Sequence, residues 1–358
     1  MTRAVRASFR ARARSISIAA LVCLATFVAG CGSPSSKPPQ QAQEPRPKIG
    51  LLMDTLDERW QRDRDLFLER AQQLDADVLV EAAERDDAKQ LQQAQSLLDR
   101  GVEALVVIPH SAEKAAEIVE LAKKKSVPVI SYDRLILNAD IDLYFSYDNK
   151  KVGEQQAQYL RNQAPKGNYI LLGGAPTDHN AKLIREGQMS ALEDAVKRGD
   201  IKIVAEPWVP DWRADLATEI TAAALKKAKN QVVAIVASND TTAGGAIAAL
   251  EQAGLAGKVF VSGQDANLDA VRRIVKGTQT VTIYKPLRPL ARGAASAAVQ
   301  LAKKEKTEGT STINNGLKDV QAILLAPIPV HKDLVDQIII GDKFHTREQV
   351  YGTGASKK

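Results

Sequence analysis

The chain has 358 residues, which is enough for about two domains with a large buried core. Its formal net charge is +6, but the first 14 residues hold five arginines and no acidic residue, so the rest is nearly neutral and gives no support to a nucleic-acid partner. The only cysteines are Cys23 and Cys31, which excludes a disulfide, a thiolate metal site and a cysteine nucleophile beyond residue 31.

The N-terminal segment has the layout of an export signal. A basic head is followed by an almost wholly apolar run from Ile16 to Gly30, which is short against the ~20 residues of a membrane span. The run ends in Val28-Ala29-Gly30-Cys31, which resembles a bacterial lipoprotein box. That resemblance implies that residues 1–31 are a lipoprotein signal segment and that Cys31 is acylated. We therefore expect an exported protein, lipid-anchored at the cell envelope, in the periplasm or on the outer face of the cytoplasmic membrane.

Residues 32–47 are rich in proline, serine and glutamine. Such residues cannot pack a core, so this stretch is predicted to be a tether between the anchor and the folded part.

From Lys48 onward, short apolar runs alternate with amphipathic segments. The first series predicts strands at Lys48–Met53, Asp77–Val80, Ala104–Ile108, Val127–Tyr132 and Leu143–Tyr147. Its predicted helices are Gln61–Gln73, Ala88–Arg100 and Ala112–Lys125. The second series predicts strands at Asn168–Leu172, Ile201–Glu206, Val232–Ala237, Val259–Gly263 and Val281–Tyr284. Its predicted helices are Lys151–Gln163, Asn180–Arg198, Asp215–Lys229, Thr242–Ala253, Leu268–Lys276 and Leu290–Lys304. This alternation is typical of doubly wound parallel sheets, and its restart predicts an α/β protein with two similar lobes.

Ligands of open parallel sheets bind beyond the carboxyl ends of the strands. The residues that follow the predicted strands are carboxylates, amides, cations and indoles, which suit a ligand rich in hydroxyl groups. All three tryptophans (Trp60, Trp208 and Trp212) follow strand ends, although aromatic residues make up only 4% of the chain, and indoles stack on the C–H faces of sugar rings. No glycine-rich turn for phosphate follows the first strand. The pattern therefore favours a carbohydrate site.

Each of these residues also has a purely structural interpretation. Asp133 and Asp240 could cap helices, Arg59 and Arg134 could form surface ion pairs, and Trp208 is better explained by packing alone. The histidines lack metal-ligand spacing, although His179 could line the cleft. No serine-hydrolase, zinc-protease or P-loop motif occurs, so we expect no catalytic residue, no metal and no cofactor.

Several motifs resemble those of one family, the D-xylose-binding proteins of bacterial ABC importers, within the ribose/galactose-type periplasmic binding proteins. The resemblance covers about residues 48–344. The motifs that carry it are Glu58-Arg59-Trp60-Gln61, Ser131-Tyr132-Asp133-Arg134, Asn180-Ala181-Lys182, Ser238-Asn239-Asp240, Gly263-Gln264-Asp265-Ala266, Tyr284-Lys285-Pro286 and Asn314-Asn315-Gly316-Leu317-Lys318-Asp319-Val320.

The resemblance implies two lobes joined by three crossing segments, near Tyr147, Pro286 and Asn314–Asp319. Residues 48–146 plus 287–312 would form the N-terminal lobe, and residues 147–285 plus 320–358 the C-terminal lobe. The protein would be a monomer that captures a monosaccharide in the cleft, with D-xylose as the expected sugar, and delivers it to ABC permease subunits. The expected ligand-binding residues are Arg59, Trp60, Asp133, Arg134, Asn180, Trp212, Asn239, Asp265 and Lys285. His179 departs from the family pattern, which usually has a polar amide there.

Other functions stay open at this point. The ligand could be arabinose, ribose or glucose, and the protein could serve a chemoreceptor or sensor kinase. A transcription regulator of the same fold needs a helix-turn-helix head, and the export segment occupies that place. An extracellular glycoside hydrolase is the last alternative, because such enzymes use two carboxylates that face a cleft.

Overall fold

The computed structural model describes residues 45–352, so the expected signal segment, Cys31 and most of the tether lie outside the described residues. The strands and helices of the first part are β1 (Lys48–Met53), α1 (Glu58–Gln73), β2 (Asp77–Ala82), α2 (Asp87–Asp99), β3 (Ala104–Val107), α3 (Ala116–Lys124), β4 (Val129–Tyr132) and β5 (Leu143–Tyr147). They alternate up to β4, and β5 follows β4 without a helix between them.

The second part repeats this alternation. Its elements are α4 (Asn149–Gln163), β6 (Gly167–Leu172), α5 (His179–Lys197), β7 (Ile201–Ala205), α6 (Ala214–Lys227), β8 (Ala234–Ala237), α7 (Asp240–Gln252), β9 (Phe260–Gln264), α8 (Leu268–Lys276) and β10 (Val281–Tyr284). The chain ends with α9 (Leu287–Ala302), β11 (Ser311–Asn314), β12 (Asp319–Leu325), β13 (Ile328–Val330), a π-helix at Val335–Ile340 and α10 (Arg347–Tyr351).

The strands form two separate sheets, which confirms the predicted two-lobed α/β architecture. The seven-stranded sheet of the N-terminal lobe has the order β11-β12-β5-β4-β3-β1-β2, and the six-stranded sheet of the C-terminal lobe has the order β13-β10-β9-β8-β6-β7. All neighbours pair in parallel except β11 with β12 and β13 with β10. Apolar clusters cover both faces of each sheet, as parallel sheets require.

The chain passes between the sheets at three points. Two of them follow β5 and β10: α4 begins the C-terminal lobe after β5, and α9 returns from β10 to pack on α1. The third prediction was wrong. Asn314–Asp319 is the turn of the β11–β12 hairpin, and β12 pairs with β5, so residues 320–325 belong to the N-terminal sheet rather than to the C-terminal lobe.

The third crossing instead lies between Leu325 and Ile328, directly before β13. The sequence predicts no strand in this part of the chain. The reason is physical: β11 at the sheet edge exposes every second side chain, and its neighbour β12 begins with the same alternation, so neither is a continuous apolar run like the inner strands. The three crossings follow β5, β10 and β12; β5 and β12 are neighbours in the N-terminal sheet, and β10 is the neighbour of the edge strand β13 in the C-terminal sheet.

Helices α4 and α5 pack closely because glycines stand where they cross. A Cβ atom on Gly153 would lie 1.9 Å from the backbone oxygen of Ile184, and one on Gly187 would lie 2.0 Å from that of Lys150. Glycine in a helix interior costs up to about 1 kcal/mol relative to alanine. Here its lack of a side chain is what allows the two backbones to meet.

We therefore predict that Gly153→Ala lowers the free energy of unfolding by about 3 kcal/mol, because the helices must separate to admit the methyl group. Urea denaturation would measure this loss. Gly244→Ala in α7 is the matched control, since its Cβ would meet only the flexible guanidinium of Arg273, at 3.3 Å. The control should change stability by less than about 1 kcal/mol. Equal effects of the two substitutions would contradict the proposed helix contact.

Candidate functional site

The carboxyl ends of the two sheets border a cavity of about 730 Å³. Side chains that follow β4, β9 and β10 reach it, together with residues from the first turns of α1 and α5. The structure brings all of the predicted ligand-binding residues together on this cavity: Arg59, Trp60, Asp133, Arg134, Asn180, Trp212, Asn239, Asp265 and Lys285. Their convergence agrees with the strand-end argument, and their role as ligand contacts stays a prediction.

Arg59 connects carboxylates from both lobes. Its Nη2 atom donates a hydrogen bond to Asp133 in the N-terminal lobe, and its Nη1 atom lies 3.4 Å from Oδ1 of Asp265 in the C-terminal lobe. Burial would raise the pKa of Asp133, but the charges of Arg59 and Lys285 lower it to about 2. Asp133 is therefore an ionised carboxylate at any physiological pH.

Lys285 makes a second connection between the same carboxylates. Its ammonium lies 3.2 Å from Oδ1 of Asp265 and 3.9 Å from Oδ2 of Asp133. Both aspartates have left-handed backbones, with φ of 59° at Asp133 and 94° at Asp265, which is unfavourable for residues other than glycine. Backbone strain of this kind concentrates at functional sites, where the surrounding structure maintains it.

Arg134 forms a separate bridge between the lobes. Its guanidinium contacts Asp54 of the N-terminal lobe at 2.7 Å and Asp178 of the C-terminal lobe at 2.9 Å, and it also donates to the carbonyl of Pro109. Burial raises the pKa of Asp178, whereas for Asp54 the effect of burial is outweighed by His110 and Arg134, which lower its pKa. Arg134 is thus a buried bridging cation, which contradicts its interpretation as part of a surface ion pair.

Two indole rings line the cavity. Trp60 is buried, and the guanidinium groups of Arg59 and Arg134 lie 4.4 Å and 5.6 Å from its ring centroid. Trp212 packs over Gly174, where a Cβ atom would lie 2.1 Å from the ring. Glycine at position 174 is therefore needed to seat this indole.

The third tryptophan does not line the cavity. Trp208 packs against Gly173, and the guanidinium of Arg185 lies 4.6 Å from its ring centroid. This position agrees with the prediction that Trp208 serves packing alone.

The two asparagines are held in place by their own hydrogen bonds. Asn180 donates from Nδ2 to the backbone oxygen of Asp133 at 2.9 Å and accepts from the hydroxyl of Tyr144. Asn239 is the N-cap of α7 and accepts from the backbone N–H of Thr242. The capping role that the sequence suggested for Asp240 therefore belongs to Asn239.

Asp240 is a buried hydrogen-bond acceptor within the C-terminal lobe. Its carboxyl accepts hydrogen bonds from the backbone N–H of Asn267, from Gln279 and from Thr282. These bonds tie down the turn that carries Asp265. Burial raises the pKa of Asp240 to about 7.

His179 does not line the cavity, so the suggestion that it lines the cleft was wrong. Asp178 and Asn180 on either side of it do line the cavity, and successive residues of a helix point in different directions. Burial lowers the pKa of His179, and its Nδ1 atom has no hydrogen-bond partner within residues 45–352.

Sequence reasoning missed several residues of the cavity wall. Asp54 follows β1 immediately, but the candidate residues named after this strand start three residues later, at Asp57. His110 follows the end of β3 behind a proline, and its Nδ1 lies 3.0 Å from Oδ1 of Asp54. Strict reading of the first residues after every strand would have found both. Gln264 and Asn267, which flank Asp265, also line the cavity.

Residues 45–352 contain no group of three or more histidine, cysteine, aspartate or glutamate side chains suited to hold a metal ion. Within the same residues, no helix combines the length and the apolar character that a membrane crossing demands.

Comparisons with known proteins agree with this architecture. The chain is 50% identical over 305 residues to the D-xylose-binding periplasmic protein of Haemophilus influenzae and 47% identical over 304 residues to that of Escherichia coli; each alignment covers 85% of this chain and 92% of the relative. A solved carbohydrate transporter solute binding protein from Chloroflexus aurantiacus, in complex with D-glucose, superposes with a TM-score of 0.79 at 31% identity, over 84% of this chain and 97% of that one.

A family profile described as periplasmic binding protein domain matches residues 49–306. With the two lobes, the cavity between them and the identities above, this match shows that the chain belongs to the periplasmic binding proteins, in the group that binds sugars for ABC transport.

Proposed function

We propose that this protein is the solute-binding component of an ABC importer, that it captures D-xylose in the cavity between its lobes, and that it delivers the sugar to the permease. The observation that carries the proposal is the set of charged side chains from both sheets that meets at one cavity. The identity of about half of the residues to two D-xylose-binding proteins selects the sugar.

The chemistry of the cavity wall suits a sugar. Each hydroxyl group of a pentose donates one hydrogen bond and accepts others. Asp133 and Asp265 accept, Arg59 and Lys285 donate, and the amides of Asn180 and Asn239 do both. Bonds to charged partners are roughly twice as strong as neutral ones, which suits capture of a dilute solute.

The indoles supply the apolar part of recognition. Trp60 and Trp212 line the same cavity as the charged groups. We propose that they contact the two C–H faces of the sugar ring, so that the polar groups surround its edge. Arg134 is proposed to act on the ligand as well, although the protein groups that it contacts here already fix its position.

Binding would proceed by closure of the lobes. A sugar that contacts residues of both lobes stabilises the closed state relative to the open state, since only the closed state makes both sets of contacts. The three crossings are the natural hinge. After transfer of the sugar to the permease, the lobes would part again.

The identity of the sugar is the part of the proposal with the nearest rivals. The solved relative from Chloroflexus aurantiacus holds D-glucose, so a hexose is the first alternative, and arabinose and ribose follow. A panel of these sugars in a thermal-shift assay would rank them. Service to a chemoreceptor or sensor kinase is compatible with transport, because both would use the closed, loaded protein.

We further propose that the protein binds its sugar without changing it. A retaining or inverting glycoside hydrolase needs a protonated carboxylic acid beside the scissile bond. Asp133 cannot serve as this acid, since its paired cations hold its pKa at about 2. Incubation with an aryl xyloside should release no aglycone, and D-xylose itself should be recovered unaltered.

The binding proposal predicts that the wild-type protein binds D-xylose and that Asp265→Asn weakens this binding by about 2–5 kcal/mol, roughly 30-fold or more. The reason is that Arg59 and Lys285 lose a buried carboxylate partner as well as a sugar contact. Isothermal titration calorimetry would measure both affinities.

Asp269→Asn is the matched control for this prediction, because Asp269 is exposed on α8 and pairs only with Arg272 among the described residues. It should leave the affinity unchanged. No heat of binding with millimolar D-xylose would reject this ligand, and an unchanged affinity in Asp265→Asn would place Asp265 outside the site.

We also propose that the mature protein is a monomer held at the cell envelope by lipid on Cys31. Cys31→Ala should then release the protein from the membrane fraction, since acyl chains are its only proposed anchor. Fractionation of cells that express both forms would show this, and mass spectrometry of the N-terminus would identify the acyl chains. A wild-type protein found wholly in the soluble fraction would contradict the anchor.

A further inference from the structure

One ionisable group close to the cavity has no part in the function described so far. Asp63 lies in α1, one helical turn after Arg59, and its side chain is only 1% exposed. It does not line the cavity. Its Oδ1 atom accepts a hydrogen bond of 2.5 Å from the hydroxyl of Tyr132.

The other carboxyl oxygen of Asp63 lies next to Arg59, on the side of the guanidinium that faces away from the cavity. Oδ2 lies 3.7 Å from Nε of Arg59, and neither atom has a hydrogen-bond partner elsewhere within residues 45–352. Asp63 thus stands behind the guanidinium whose front contacts Asp133 and Asp265. A carboxyl group in this place limits how far Arg59 can swing.

The charges around Arg59 do not balance if Asp63 is ionised. Among the described residues, this buried cluster contains three carboxyl groups, those of Asp63, Asp133 and Asp265, against the two cations Arg59 and Lys285. An unpaired buried charge is expensive, so a cluster of this kind tends to bind a proton. With one proton bound, the cluster is neutral.

Asp63 is the member of the cluster best placed to take that proton. Asp133 has the closest cationic partner, and Asp265 is the more exposed of the three. Burial raises the pKa of Asp63 to about 7, whereas Arg59 and the Tyr132 hydroxyl act in the opposite direction.

The remaining groups around Asp63 do not supply the missing cation. Tyr147 on β5 is neutral, because burial raises its pKa far above the physiological range. Helix α9, which packs on α1, directs Arg288 and Arg292 to Glu69, nearly two turns further along α1.

Opening of the cleft would change this environment. Asp265 and Lys285 belong to the C-terminal lobe, so they leave Arg59 when the lobes part, and water reaches the wall in front of Asp63. Departure of Lys285 removes one charge that lowers the pKa of Asp63, but departure of Asp265 frees Arg59 to pair with Asp63. Together with the entry of water, this makes the ionised form of Asp63 less costly than in the closed state. Closure reverses the change and favours the protonated form.

We propose that Asp63 is a positioning residue for sugar binding, which holds Arg59 at the cavity wall and takes up a proton from solvent as the cleft closes. The proposal rests on the proposed sugar-binding function and adds to it a coupling between binding and pH. Because the closed state binds more protons than the open state, affinity is highest at low pH and declines as the pH rises through about 7.

Calorimetry of D-xylose binding between pH 5.5 and 8.5 tests the coupling. In the wild type, the dissociation constant should rise about threefold to tenfold between pH 6 and 8, as expected for one linked proton. Binding heats measured in phosphate and in Tris should differ by the ionisation heat of the protons taken up. Asp63→Asn, which is uncharged at every pH, should bind D-xylose with little dependence on pH or buffer.

Two further variants sharpen this test. Glu69→Gln removes a carboxylate of the same helix that pairs with Arg292 outside the cavity, and it should keep the pH dependence of the wild type. Tyr132→Phe removes the hydrogen bond that favours the ionised form of Asp63. The midpoint of its pH dependence should therefore move to higher pH.

A measurement without sugar tests the protonation of Asp63 in the open state. In the unfolded chain the pKa of aspartate is about 3.9. Asp63 does not line the cavity, so we expect its pKa in the open folded state to stay raised, between about 3.9 and the value of about 7 in the closed structure. Asp63 then supports folding fully below about pH 4, and this support is lost as the pH rises towards 7. The stability of the wild type relative to Asp63→Asn should fall over that interval and stay level above about pH 8.

The possible results separate the two proposals. Absence of sugar binding at every pH would contradict the proposed function, and the unfolding measurement would then decide on Asp63. Sugar binding that is independent of pH would overturn the proton coupling alone. The same pH dependence of sugar binding in wild type and Asp63→Asn would also overturn it, because another group would then be titrating.

Discussion

The contact of Arg59 with carboxylates from both lobes is the interaction on which the site depends. It joins Asp133 to Asp265 across the cavity and lies against the ring of Trp60. Removing one member of a buried charge pair leaves the other without compensation, which costs far more than loss of a surface pair. The cavity wall is therefore one electrostatic unit, in which each charge requires the others.

This unit explains the local structure around it. Asp133 and Asp265 accept unfavourable backbone angles because their positions at the strand ends are set by bonds further back. Asp240 and Thr282 hold the turn of Asp265, and Ser146 and Asn180 bind the backbone oxygen of Asp133. A neutral sugar can enter such a wall by exchanging some of these internal bonds for bonds to its hydroxyl groups.

Much of this arrangement could be predicted from the sequence. The inner strands are continuous apolar runs, so β1, β5 and β10 were placed at their observed limits, and the polar residues just beyond β4, β9 and β10 pointed to the cavity. Residues that act from further along a helix, such as Asp63, carry no such signal. Strands β11 and β12 were missed because side chains exposed at alternate positions resemble a loop, and β13 was missed because it has only three residues.

The positions of the three crossings have a mechanical consequence. Two crossings leave the N-terminal sheet from the adjacent strands β5 and β12. The third returns from β10, which lies next to the edge strand β13 of the C-terminal sheet. Connections gathered at neighbouring strands permit rotation about one line and resist twisting or sliding. The ion pairs that Arg59, Lys285 and Arg134 make between the lobes must then break during the same rotation. Partly open forms are therefore not stabilised, and the protein should populate two states, open and closed.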